Sequence, residues 1–235
     1  LNYVFGNSHV AIFSGVDNQY PIWPECSVDK LPWFRTTNLG AVTAYRAMKH
    51  IEKIKAILQK EPEFDKENDT ILLVFGEVDI RVHVQDQAVL QKCTPEDVAR
   101  DVAVKYTEAI SLLVTEGFNV AIYGCVPSWR IPESSNLYKT HERYGTSKSR
   151  NDITRAFNDV LEQYCAISDL SYISIFDEVI DKDGETDLRY TDTVYMEGTG
   201  LHFTTHMLPL LLWKCRDVGL IPFEESFLPL VRKKI

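Results

Sequence analysis

Blocks of apolar residues alternate with polar ones along the chain, and the period of the pattern changes from block to block. The opening run LNYVF (1–5) stops at Gly6 and is followed at once by Asn7, Ser8 and His9, which predicts a strand delivering a hydroxyl and an imidazole into a loop. Residues 41–60 (AVTAYRAMKHIEKIKAILQK) carry apolar side chains at helical spacing with Lys and Glu between them, and this helix ends before Pro62. EPEFDKEND is turn-like, and TILLVFG (70–76) is a compact, branched run closed by glycine, hence a buried strand. A helix is well signalled from Pro95 to Glu116: Thr94 can cap it, Pro95 fits its first turn, Glu96 and Asp97 suit its positive end, and Gly117 stops it. FNVAIYGCVP reads as another buried strand, residues 128–148 as a polar irregular loop, SRNDITRAFNDVLEQYCAIS as a helix, SYISIFDEV as a strand, and 203–217 as a terminal helix.

Strands alternating with helices imply parallel pairing through right-handed crossovers, so the expected fold is an open α/β sheet covered on both faces. With 235 residues, 45% of them hydrophobic, the chain suffices for one core, and a single domain over 1–235 is expected. Ligands of such sheets sit at the carboxyl ends of the strands.

Charge narrows the partners. Lys and Arg number 25 against 34 Asp and Glu, and the net charge of -9 disfavours nonspecific attraction to nucleic acid or anionic membrane. The longest apolar stretch, near MLPLLLW (207–213), is too short and interrupted to insert in a bilayer. No secretory signal opens the sequence, which favours a cytoplasmic location, although the first residue is Leu1 rather than methionine. Five cysteines (Cys26, Cys93, Cys125, Cys165, Cys215) lack any CxxC pair and are odd in number, so they are expected as reduced, mostly buried thiols.

Two residues far apart in sequence bear on the chemistry. Ser8 lies just beyond the first strand, and His202, in MEGTGLHF, follows a glycine-containing turn and precedes an apolar helix. A nucleophile and its base are defined by geometry, so chain distance is no obstacle. In GEVDIRVHV (76–84), Glu77, Asp79, Arg81 and His83 alternate with Val78, Ile80, Val82 and Val84. If extended, the segment puts all four polar groups on one face. There Arg81, held by Asp79 or Glu77, would supply a cationic donor, or the four would form a salt-bridged face. A metal site is disfavoured because no second histidine pairs with His83 by motif.

These residues fall into blocks that resemble the SGNH, or GDSL-like, hydrolase superfamily. GNS (6–8) is similar to its G-D-S block with Asn7 for the usual aspartate, NLG (38–40) to the second block, FGEVDIR (75–81) stands where G-x-N-D stands, and GLH (200–202) is similar to the histidine block. YGCVPS and SRNDITRAFNDVL resemble the stretch between the third and last blocks. The resemblance implies a three-layer, flavodoxin-like α/β/α fold. It also implies ester hydrolysis or acyl transfer by Ser8, with His202 as base and no metal or organic cofactor. The oxyanion would be held by backbone N–H groups of Ser8 and of Gly40, or of a residue nearer Thr43. Two positions depart from the pattern: Val78 replaces the asparagine of the third block, and Thr199 replaces the acid three residues before the histidine. Glu197, with Asp192 further back, is the nearest carboxylate, and a backbone carbonyl completing a Ser-His dyad is the alternative. The expected partner is a small-molecule or glycan ester. An O-acylated carbohydrate is favoured because Trp129, Tyr138 and Tyr144 in the polar loop can offer aromatic faces. The rival is a noncatalytic binding domain on the same fold.

Overall fold

The structure, a computed structural model, describes residues 1–15, 30–128, 145–191 and 205–222. Its sheet contains β1 (Asn2–Gly6), β2 (Phe34–Asn38), β3 (Thr70–Val74), β4 (Asn119–Tyr123) and β5 (Ser171–Ile173). The order is β2-β1-β3-β4-β5, with every neighbouring pair parallel. Strands covered on both faces read as nearly continuous apolar runs, and β1, β3 and β4 were legible for that reason. The sequence pattern passes over β2, FRTTN, because a strand made of Thr36, Thr37, Arg35 and Asn38 shows no apolar run. The last strand is shorter than SYISIFDEV implied; the chain leaves the sheet after Ile173.

Five α-helices accompany these strands among the described residues: α1 (Ala47–Leu58), α2 (Val84–Gln91), α3 (Pro95–Thr115), α4 (Ser147–Ser168) and α5 (Leu208–Asp217). The expected start of α3 is observed, with Thr94 accepting the Asp97 N–H at 3.1 Å and Pro95 in the first turn. A reciprocal cap between Thr146 and Ser149 opens α4, satisfying two amides that the helix itself leaves without partners. The helix expected over 41–60 begins late, as a 3-10 turn at Ala44–Arg46 followed by α1.

Two apolar clusters lie on opposite faces of the sheet. The larger gathers Ile51 and Ile54 of α1, Tyr106 and Ile110 of α3, and Phe157 and Leu161 of α4. The smaller joins Val10 and Phe13, from a 3-10 turn at Ser8–Ser14, to Met207, Leu211 and Cys215 around α5. The result is a three-layer α/β/α arrangement with a central parallel sheet. Among the described residues no helix is long and apolar enough to cross a membrane. Cys125, Cys165 and Cys215 are buried free thiols and Cys93 an exposed one; Cys26 lies outside the described residues.

Candidate active site

The site is built on three adjacent strand ends. Gly6 is the last residue of β1 and stands in register with Asn38 of β2 on one side and Val74 of β3 on the other. A Cβ at Gly6 would fall inside the contact radius of the Val74 carbonyl oxygen, so the approach of the two backbones requires glycine here. Leu39 N–H donates to the Gly6 carbonyl at 2.7 Å, and Asn7 N–H to that of Val74 at 3.3 Å. The loops after β1, β2 and β3 are thereby tied together, with Ser8, Gly40 and Gly76 each two residues past the shared register.

Ser8 is half-buried and begins the 3-10 turn that Asn7 caps by accepting the His9 N–H at 3.0 Å. His9 itself is buried, in keeping with a packing residue. Asn7 is 2% exposed, and its amide nitrogen finds no acceptor among the described residues. An oxygen at that position, as in the usual G-D-S aspartate, would leave no such orphan donor.

The loop after β2 carries the candidate oxyanion donors. Gly40, at φ +90, gives its N–H to Asn38 Oδ1 at 2.9 Å, so that donor is committed within the protein. Val42 N–H returns to the Gly40 carbonyl at 2.7 Å. Thr43 is half-buried and extended, and its N–H has no acceptor among the described residues. Immediately after it, the Ala44 and Tyr45 N–H groups both donate to Asp79, at 2.6 Å and 3.1 Å.

Residues 76–84 are not extended, which corrects the reading of four polar groups on one face. Gly76, at φ +116, breaks the line of β3. The chain then turns helical, with a π turn at Asp79–His83 running into α2. Alternate residues of a helix lie on different faces, so the set divides. Glu77 and Arg81, four apart, pair at 3.7 Å with both side chains nearly buried, and Glu77 also accepts the Val126 N–H at 2.8 Å. Asp79 turns instead to the loop at Ala44 and Tyr45. His83 is exposed.

Asp79 is 2% exposed, and burial pushes its carboxyl up to about 6, against the opposing pull of the Ala44 and Tyr45 amides and of His83. Tyr106 of α3 and Cys125 beyond β4 also feel its charge, and Glu77 and Arg81 stand on its own helical segment. Because the folded chain holds this proton more tightly than the unfolded chain, stability falls as pH rises from the ordinary carboxylate pKa through about 6. The shift corresponds to about 3 kcal/mol. Wild type is therefore expected to lose about that much stability relative to Asp79→Asn between roughly pH 4 and 7, read from denaturant unfolding at each pH. A difference that stays flat over this range contradicts a buried ionising carboxylate.

The floor beyond β4 is pinned by Asn158 of α4, which accepts the Cys125 N–H at 2.9 Å and donates to the Cys125 carbonyl at 2.8 Å. Cys125 is buried, its thiol donates to the Phe75 carbonyl at 3.4 Å, and burial raises it well above the ordinary thiol range, which disfavours the thiolate a nucleophile needs. No cluster of His, Cys, Asp or Glu among the described residues could hold a metal. His202, Glu197, Asp192 and Thr199 lie outside the described residues, as do Trp129, Tyr138 and Tyr144. The structure thus sets Ser8 and Gly40 two residues beyond adjacent strand ends and links Asp79 to the amides that follow Thr43. The link from Asp79 to the second loop escaped the sequence reading; its only trace is an aspartate three residues beyond the third-block glycine.

No family model and no curated protein matches the sequence. Solved structures do share its fold. They include a GDSL-like lipase from Bacteroides thetaiotaomicron, 10% identical at a TM-score of 0.59, covering 92% of this chain and 85% of that one. A member of the lipolytic protein G-D-S-L family from Veillonella parvula is 16% identical at 0.52, with 93% and 97% covered. A carbohydrate acetylesterase from Sinorhizobium meliloti is 12% identical at 0.50, with 94% and 99% covered. The fold is that of the SGNH, or GDSL-like, hydrolases.

Proposed function

We propose that the chain is a serine ester hydrolase. The observation that carries the reading is the position of Ser8, half-buried at the carboxyl end of β1 and flanked by the loops after β2 and β3, on a fold shared with esterases and lipases. Ser8 Oγ attacks the ester carbonyl while His202 takes its proton. The tetrahedral oxyanion is held by backbone N–H groups of Ser8 and Thr43, since Gly40 is engaged by Asn38. Collapse releases the alcohol, which takes the proton from His202, and water then resolves the acyl-enzyme by the reverse relay. Glu197, or a backbone carbonyl, holds the imidazole in the tautomer this requires. Arg81 and His83, on the turn after β3, are the candidates for polar contacts to substrate.

An O-acylated carbohydrate is the substrate class we favour. The fold is shared with a carbohydrate acetylesterase, and Trp129, Tyr138 and Tyr144 supply rings suited to stacking on a sugar. A second reading, a noncatalytic binding domain, draws on Val78, an apolar residue where the third block otherwise supplies an amide donor. Labelling with a serine-directed fluorophosphonate, followed by peptide mapping, separates the two. An adduct on Ser8 that is lost in His202→Ala is expected of the enzyme. No adduct, with p-nitrophenyl acetate untouched, favours the binding domain.

A further inference from the structure

We infer that Asp79 is a positioning residue: it holds the loop after β2 in the shape that presents the Thr43 N–H as the second oxyanion donor beside Ser8. The inference rests on the ester-hydrolase reading above. Three consecutive amides, of Thr43, Ala44 and Tyr45, open the 3-10 turn before α1. Two of them are taken by the two oxygens of one buried carboxylate, at 2.6 Å and 3.1 Å, and the first has no acceptor among the described residues. On its other side Thr43 follows a tight turn closed by the Val42 N–H on the Gly40 carbonyl. The residue is therefore pinned from both directions, and its own N–H is uncommitted among the described residues.

A carboxylate is expensive to bury and persists only where its oxygens are satisfied. Asp79 is satisfied by the loop itself, so loop shape and carboxylate are one unit. The anchoring segment is itself tied down: Asp79 sits in the π turn beside the Glu77–Arg81 pair, and Glu77 accepts the Val126 N–H. A neutral amide at this position could accept from only one of the two N–H groups and would oppose the other with its own NH2. A displaced Thr43 amide then meets the oxyanion poorly, and the loss falls on the transition state rather than on substrate binding.

The test is steady-state hydrolysis of p-nitrophenyl acetate by wild type, Asp79→Asn, Thr43→Pro and the double variant. Loss of an oxyanion donor lowers kcat by about 10²–10³-fold, and Asp79→Asn is expected to approach this with KM within about twofold. Proline at residue 43 removes an N–H that has no acceptor among the described residues, and because its ring also draws φ from -114 toward about -65, the Tm of this variant is measured beside its kcat. If Asp79 acts through Thr43, the double variant is no slower than Thr43→Pro alone. Multiplicative losses, or an unchanged kcat in Asp79→Asn, overturn the inference. Where Asp79→Asn does not fold, Asp79→Glu serves: the longer side chain keeps the charge but displaces the loop, and a wild-type kcat in that variant overturns it equally. Ser8→Ala, run alongside, reports on the parent reading. If it alone leaves turnover intact, the hydrolase proposal fails; if it abolishes turnover while Asp79→Asn does not lower it, only this inference fails.

Discussion

Replacing Ser8 by alanine is expected to lower ester hydrolysis by about 10⁴–10⁶-fold in kcat, equivalent to about 5–8 kcal/mol of lost transition-state stabilisation. The effect is large because no neighbouring group among the described residues can stand in. Ser14, at the far end of the same 3-10 turn, is fully buried and donates its hydroxyl to the Ala11 carbonyl at 2.6 Å. Ser128 is buried and accepts from Arg150 Nε at 2.7 Å. The Cys125 thiol is buried and held in its protonated form. KM should change little, because a single hydroxymethyl group contributes little to ground-state binding. A loss below about tenfold would place the chemistry elsewhere, since even one auxiliary donor is worth more than that.

Gly6→Ala should unfold or severely loosen the protein. The added methyl would collide with a backbone carbonyl, which cannot swing aside as a side chain can. Since Gly6 is bracketed by β2 and β3, relief requires the sheet to open at its centre. The cost is about 3–5 kcal/mol, or a fall in Tm of roughly 10 °C. It should also be accompanied by slower fluorophosphonate labelling at Ser8, because the displaced carbonyl belongs to the segment that holds Asn7. A Tm within about 2 °C of wild type would mean that the strand ends are further apart than the register implies.

The layers of the fold were legible because burial on both faces writes itself as apolar runs and helix caps write themselves as residue types. Thr94, Pro95 and Asp97 mark the start of α3 by residue type alone. What stayed hidden depends on contacts distant in sequence. FRTTN has no apolar period, and its place is fixed only by pairing with β1. The alternating GEVDIRVHV matches a strand by period, yet Gly76 at φ +116 ends β3 and the next residues coil. Ser8, Gly40 and Thr43 are candidates through the likeness of their segments to family blocks, and their roles belong to the proposal. That Gly40 is engaged by Asn38 while the Thr43 N–H finds no acceptor among the described residues depends on side-chain hydrogen bonding, which no pattern of residue types expresses.

The smaller apolar cluster ties two remote stretches of chain to one foundation. Val10 and Phe13, just after Ser8, pack in the same cluster as Met207 and Leu211, just after the segment that carries His202. If Ser8 and His202 act as proposed, the stretches that flank both of them in sequence are anchored in the smaller of the two apolar layers. Substitutions that loosen that layer are then expected to lower turnover together with stability, at positions well away from the substrate.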